Sequence, residues 1–225
     1  MTERQDYQTF VFLDIETTGL PRDQPRMAEL CLFAVHHSSL PPSSQKNELQ
    51  LPRIIDKLTL CIDPQKPFTK RAKDITGLSN QQLEQNCKPE INHSLMEILK
   101  GFLDRQAHPI CLVAHNGLGF DFPLLRKELQ QIGTDLPPNT GCLDTLPALK
   151  ELLKEQDLCY KLGNLYQYFY QEEPSGAHSA EGDVITLLLV FLAKALDLKA
   201  WAATRAQKWE EIQPMYFPHS NSNRS

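Results

Sequence analysis

The apolar run Phe10-Val11-Phe12-Leu13 ends on Asp14-Ile15-Glu16 and then meets the breaker Thr17-Thr18-Gly19-Leu20-Pro21. β-Branched and aromatic residues closed by Gly and Pro read as a buried central strand. Side chains alternate along a strand, so the carboxylates of Asp14 and Glu16 leave the sheet on the same face. Two such charges are unfavourable together unless a cation sits between them. A divalent ion such as Mg²⁺ is the natural counterpart, because hard cations take carboxylate oxygens and keep open positions for water and phosphate.

The remainder of the chain bounds this reading. With 225 residues and 41% hydrophobic content it can bury one sizeable core. A single domain over residues 1–217 is expected, followed by a disordered polar tail at 218–225. Met1-Thr2-Glu3-Arg4-Gln5-Asp6 is polar and unlike a secretory start. The longest apolar stretch, Val184 to Ala193, is too short to span a bilayer, so no membrane partner is expected. Cys31, Cys61, Cys87, Cys111, Cys142 and Cys159 are scattered without a CxxC pair. They read as thiols of a reducing compartment, the nucleus or cytoplasm. The net charge of −5 lacks the basic footprint of a nucleic-acid binder. Bound metal belongs in that count, however: adding the four positive charges of two divalent ions to −5 leaves −1. Contacts to a polyanion would then fall to local clusters such as Arg22/Arg26, Lys70/Arg71/Lys73 and Arg126/Lys127.

Periodicity predicts strands near Thr9–Glu16, Ala28–His36, Arg53–Ile62 and His108–Ala114, with a polar loop over Ser38–Pro52. Helices are expected near Gln81–Gln85, Ile91–Arg105, Pro123–Gln131, Leu146–Lys154, Leu162–Tyr170, Ala180–Ala195 and Ala200–Ile212, and Phe68–Ser79 stays an unassigned segment. Strands first, then helices alternating with strands, make an α/β protein with a mixed sheet flanked by helices.

Two further constellations carry chemistry. His115-Asn116-Gly117-Leu118-Gly119-Phe120-Asp121-Phe122-Pro123 follows the fourth strand, where a loop presents polar groups over the carboxyl edge of a sheet. Taken alone, Asp121 reads as an ordinary helix N-cap. His178-Ser179-Ala180-Glu181-Gly182-Asp183 leads into an apolar helix, whose first turn suits an acidic side chain by its dipole alone. The spacing also lets His178 lean over whatever Asp183 binds. There an imidazole could take a proton from an attacking water.

Together, Asp14-x-Glu16, Asn116-x₄-Asp121 and His178-x₄-Asp183 resemble the three motifs of the DEDD 3′→5′ exonucleases of the histidine subclass. The likeness narrows with Phe12 to Pro21, Ile75-Thr76-Gly77-Leu78-Ser79, Val113-Ala114-His115-Asn116-Gly117, Phe120-Asp121-Phe122-Pro123-Leu124-Leu125, His178 to Asp183 and Pro214-Met215-Tyr216. This set is similar to the three-prime repair exonucleases over nearly the whole chain. It is nearer to their short form, since no hydrophobic extension follows Tyr216.

The resemblance implies an RNase H-like fold with a central mixed five-stranded sheet, and a DNA 3′-exonuclease releasing nucleoside 5′-monophosphates. It implies two Mg²⁺ ions per site, replaceable by Mn²⁺, held by Asp14, Glu16 and Asp183 with Asp121 in support through water, and His178 as general base. The substrate would meet Glu16, Thr17, Leu20, Pro21, Ile75, His115, Asn116 and Phe120. Exposed apolar wedges suit such an enzyme because stacking tolerates every base. Core packing is the competing reading of Leu20, Ile75 and Phe120. Partners by the same likeness are DNA 3′ ends, single-stranded or frayed, and a second copy of the chain. The dimer would form through the alternating edge Lys57-Leu58-Thr59-Leu60-Cys61-Ile62.

Two departures from the family pattern are visible. The stretch Lys154–Lys161 is brief where relatives carry an arginine-bearing loop, and position 120 is Phe where relatives often have Tyr. Two other readings stand beside the DNase: an exoribonuclease of the same superfamily, because the catalytic set is blind to the 2′-hydroxyl, and a silent nucleic-acid-binding scaffold.

Overall fold

A computed structural model describes residues 4–40, 50–154 and 158–215. The expected polar tail and parts of the Ser38–Pro52 and Lys154–Lys161 segments lie outside the described residues. The chain runs through strands β1 (Thr9–Thr17), β2 (Met27–His36) and β3 (Asp56–Cys61), then helices α1 (Lys70–Thr76), α2 (Asn80–Gln85) and α3 (His93–Asp104). Strand β4 (Ile110–Ala114), α4 (Asp121–Gln131), β5 (Gly141–Asp144), α5 (Thr145–Leu152), α6 (Leu162–Tyr170), α7 (Ala180–Ala193), α8 (Ala195–Arg205) and β6 (Gln207–Lys208) follow.

One sheet holds six strands in the order β3-β2-β1-β4-β5-β6, one more than the resemblance implies. β1 pairs antiparallel with β2 and parallel with β4. β4 and β5 are also parallel, and β6 closes the far edge antiparallel. The strands missing from the sequence reading, β5 and β6, have four and two residues, too short for a periodic signal. The final helix spans Ala195–Arg205 rather than Ala200–Ile212, because the chain must turn back to pair Gln207 with Cys142. The Phe68–Ser79 segment contains α1, whose N-cap Thr69 accepts the Ala72 N–H.

β1 is central and buried on both faces, as a continuous apolar run should be. Phe10 and Phe12 enter a core shared with α5 to α8, while Val11 and Leu13 enter the opposite core beneath α3 and α4. Phe191 of α7 packs 5.4 Å from Phe10 and 5.1 Å from Phe12, ring centre to ring centre. These contacts fix the site by arithmetic. The eight residues from Phe191 back to Asp183 span about 12 Å of helix. The four residues from Phe12 to Glu16 span about 13 Å of strand. An antiparallel α7 over β1 therefore delivers Asp183 to the carboxyl end of β1.

Candidate active site

Asp14, Glu16 and Asp183 meet there: each offers a ligand oxygen, and those oxygens lie within 4.8 Å of one another. The three side chains are half-buried. Burial, with the charges of Asp121, Asp183, Glu16 and Glu29, holds the Asp14 carboxyl well above the ordinary carboxylate range. Burial plus Asp183 and Glu29 pushes Glu16 up to about 7. Asp183 is also raised by burial, opposed by the backbone N–H and charge of His178. Such mutual repulsion is a poor arrangement for a bare protein. It suits a hard divalent cation, and all-oxygen donors favour Mg²⁺ or Mn²⁺ over softer metals.

Asp121 is not one of the three, though its charge acts on Asp14. It is not a cap either. α4 begins at Asp121, two residues before the expected start, and the N-cap position belongs to Phe120, which makes no side-chain capping bond. The Asp121 carboxylate is buried and is pushed up to about 8 by burial, Asp144 and Glu16, against the N–H groups of Asp121 itself and Ile15.

The loop before it is built to a specific shape. Asn116 has φ +63°, a left-handed conformation. A Cβ on Gly117 would lie 2.6 Å from Ala114 Cβ and 2.7 Å from the Phe122 ring, so only glycine fits. Asp144, at the end of β5, accepts the N–H groups of Asn116 at 2.9 Å, Leu118 at 3.1 Å and Leu146 at 2.9 Å. Asp144 is the residue the sequence reading missed. Its signal was an acid closing the short run Gly141-Cys142-Leu143, the same pattern as Asp14 on a strand too short to notice. His115 is half-buried, with Nδ1 2.9 Å from Thr145 Oγ1 and Nε2 2.9 Å from the Tyr160 carbonyl. Burial lowers its pKa. A neutral ring donating from Nε2 satisfies the carbonyl, and Nδ1 then shares the Thr145 hydroxyl with the Ala114 carbonyl, which lies 3.3 Å from that hydroxyl.

His178 stands in the entry loop of α7, exposed and at φ +71°. Its backbone N–H donates to Asp183 Oδ2 at 3.2 Å, so the carboxylate that would take metal also fixes the histidine. Ser179 caps the helix through the Gly182 N–H and donates to the Gly176 carbonyl at 2.9 Å.

The apolar residues line the same edge. Leu20 and Ile75 are both 42% exposed, which excludes core packing as the account of either. Their segments touch, since the Thr69 N–H donates to the Thr18 carbonyl at 2.8 Å. Thr17 is buried and donates to the Gly19 carbonyl at 2.8 Å. Pro21 opens a short 3₁₀ turn, and Phe120 is half-buried against the α3/α4 core. The Met215 N–H donates to the Pro123 carbonyl at 2.9 Å, seating the C-terminal segment on the first turn of α4.

The exonuclease family profile matches residues 11–191. Over 97% of this chain and 97% of the relative, it is 51% identical to three prime repair exonuclease 2 of Mus musculus. The chain belongs to this exonuclease family. It is 40% identical to three-prime repair exonuclease 1 of Homo sapiens, over 93% of this chain and 71% of that one. Among solved structures, the nuclease domain of 3′hExo, a DEDDh family member bound to rAMP, superposes with a TM-score of 0.65 at 13% identity. The match covers 91% of this chain and 98% of that one. The fold is accordingly the RNase H-like fold of the DEDDh exonucleases.

Proposed function

We propose that this chain is a metal-dependent 3′→5′ DNA exonuclease that releases nucleoside 5′-monophosphates. The observation that carries the reading is the trio Asp14, Glu16 and Asp183, whose ligand oxygens converge within 4.8 Å at the end of a central strand, in a chain 51% identical to a three prime repair exonuclease. A silent scaffold would have no use for carboxylates whose burial and repulsion cost stability. Two Mg²⁺ ions, or Mn²⁺, would be held by Asp14, Glu16 and Asp183, with Asp121 acting through water; when bound they supply neutralisation of the scissile phosphate and of the leaving oxygen.

The chain's own residues do the remainder. His178 takes the proton of the attacking water as its oxygen bonds to the terminal phosphorus. The bond from phosphorus to the 3′-oxygen of the preceding nucleotide breaks, that oxygen takes a proton from solvent to become the new 3′-hydroxyl, and the terminal nucleotide leaves with the phosphate on its 5′ side. Leu20, Pro21 and Ile75 wedge against the last bases. The Glu16 and Thr17 backbone, His115, Asn116 and Phe120 hold the terminal nucleotide. A free, single-stranded or frayed 3′ end is the substrate this arrangement accepts.

The same reading includes a homodimer through β3. That strand is an edge of the sheet, its Lys57 and Thr59 are exposed, and pairing by a two-fold axis would cover its free hydrogen-bonding groups. All six cysteines are free, which accords with residence in the nucleus or cytoplasm.

The test is hydrolysis of matched 5′-labelled DNA and RNA oligomers, with 3′ ends free or blocked, in Mg²⁺ or EDTA. Mononucleotide release from free DNA ends only in Mg²⁺ supports the reading. Equal or faster release from RNA would make the enzyme an exoribonuclease, and no release from either would leave a binding module.

A further inference from the structure

Glu29 lies outside the residues assigned to metal, yet its carboxylate joins three elements of the site. It stands opposite Glu16 in the β1–β2 register. Its Oε2 accepts the N–H of Ala180, the first residue of α7, at 2.9 Å. Its Oε1 lies 3.7 Å from Cys61 Sγ of β3, the donor of that contact.

Like charges directly opposite on antiparallel strands are destabilising, so a glutamate here opposes the stability of the fold. What it provides is a charge-assisted hydrogen bond to a helix N-terminus, where backbone N–H groups lack intrahelical partners. Ser179 already accepts the N–H groups of Gly182 and Asp183, through its hydroxyl and its carbonyl. Glu29 accepts that of Ala180. His178 lies two residues before Ala180 and Asp183 three after it, so this bond, beside the exposed Lys57–Glu181 pair at 3.7 Å and the buried Ala180 and Val184, helps set where the first turn of α7 stands relative to β1.

We propose that Glu29 is a positioning residue: its bond to Ala180 holds Asp183 and His178 in register with Asp14 and Glu16. The proposal rests on the nuclease reading above. The far end of α7 stays anchored by Phe191 on Phe10 and Phe12, so losing the bond loosens one turn and spares the fold. The apolar substrate contacts come from other loops. Turnover and metal binding should therefore suffer while KM for DNA does not.

Three variants of the full chain test this. Glu29→Ala removes the acceptor, and Glu29→Gln keeps an amide oxygen that can accept. Ala180→Pro removes the donor at a helix position that tolerates proline, after a residue, Ser179, whose extended backbone is compatible with it. Each is assayed for kcat and KM on a single-stranded oligomer, and for Mn²⁺ affinity by electron paramagnetic resonance without DNA. Glu29→Ala and Ala180→Pro should each lower kcat and Mn²⁺ affinity by about 10–100-fold, the usual cost of losing a partner that orients a metal ligand. KM should stay near wild-type, and Glu29→Gln should recover most of both losses. Wild-type Mn²⁺ affinity in Glu29→Ala, or a Gln variant as impaired as the Ala variant, overturns the proposal. Should Glu29→Ala fail to fold, wild-type Mn²⁺ affinity in Ala180→Pro overturns it equally. Asp14→Asn serves as the control: if that variant keeps its activity, the metal-site reading has failed, whereas an inactive Asp14→Asn beside an unaffected Glu29→Ala defeats only the role of Glu29.

Discussion

A carboxylate of α4 and the acidic trio at the end of β1 lie on opposite faces of the sheet and deal with their charge in opposite ways. Glu128 of α4 is fully buried, and its oxygens lie 2.9 and 3.1 Å from Arg26 Nε, with Lys127 Nζ 3.4 Å away. Asp14, Glu16 and Asp183 converge within 4.8 Å, and the charges pressing on Asp14 and Glu16 are carboxylates. The first group is complete within the chain and serves the fold. The second is complete only with a cation from outside, and that deficit marks it as a functional site rather than a structural one.

Neutralising substitutions should split the two groups cleanly. Asp14→Asn or Asp183→Asn should lower turnover by about 10³-fold or more, since metal charge stabilisation is worth several kcal/mol and each 1.36 kcal/mol is a decade. The same variants should melt no lower than wild-type in EDTA, because each relieves repulsion. Full Mg²⁺-dependent activity in a purified Asp14→Asn protein would remove the site assignment. His178→Ala should cost about 10²–10⁴-fold in kcat while Mn²⁺ and DNA binding persist. A defect confined to KM would contradict its role as base.

Glu128→Gln should do the reverse of Asp14→Asn. Removing the negative charge that faces Arg26 and Lys127 should cost about 3 kcal/mol in urea denaturation, the low end for a broken buried pair, because Arg26 is 27% exposed. Activity of the protein that remains folded should be near wild-type.

The pH dependence of stability carries the same contrast. The Glu16 carboxyl at about 7 and the Asp121 carboxyl at about 8 lie above their ordinary values of 4.5 and 3.8. A carboxyl raised by folding favours the native state while protonated. Its contribution is complete below the ordinary value and is lost as pH climbs through the raised one. In EDTA the protein should therefore melt lower at pH 8.5 than at pH 5.5, and Mg²⁺ should recover most of that loss at the higher pH. A melting temperature that rises over this range without metal would break the account.

The smallest effect concerns DNA affinity. If the brief stretch from Lys154 to Lys161 departs from the family pattern as the resemblance implies, few phosphate contacts should form. Each contact contributes about 0.7 to the log–log salt slope on single strands. Binding in Ca²⁺ should show a shallow slope and require a free 3′ end; a steep slope independent of the end would reveal a basic groove elsewhere.

Local pattern made much of this legible. The Asp14 and Glu16 pair on one face, the long strands β1 and β2 and the apolar α7 all follow from periodicity, which belongs to consecutive residues. The exposure of Leu20 and Ile75 did not, because an apolar side chain next to a glycine turn fits a core or a rim equally well. Asp121 was ambiguous for the same reason: a cap and a buried acid beside the site differ by a few residues in where α4 begins, which packing decides.

By itself, the sequence determined which residues could carry the chemistry, and the family resemblance ordered them into motifs. Only the tertiary structure decided that Asp183, 167 positions after Glu16, arrives at the same point, because the Phe191 contacts set the direction and offset of α7 over β1. It also decided the partners of the supporting acids. Nothing around Asp144 or Glu29 in the sequence names the groups they meet. Their acceptor oxygens meet backbone N–H groups of Asn116, Leu118 and Ala180, and every residue has such a group, so no residue type announces the pairing.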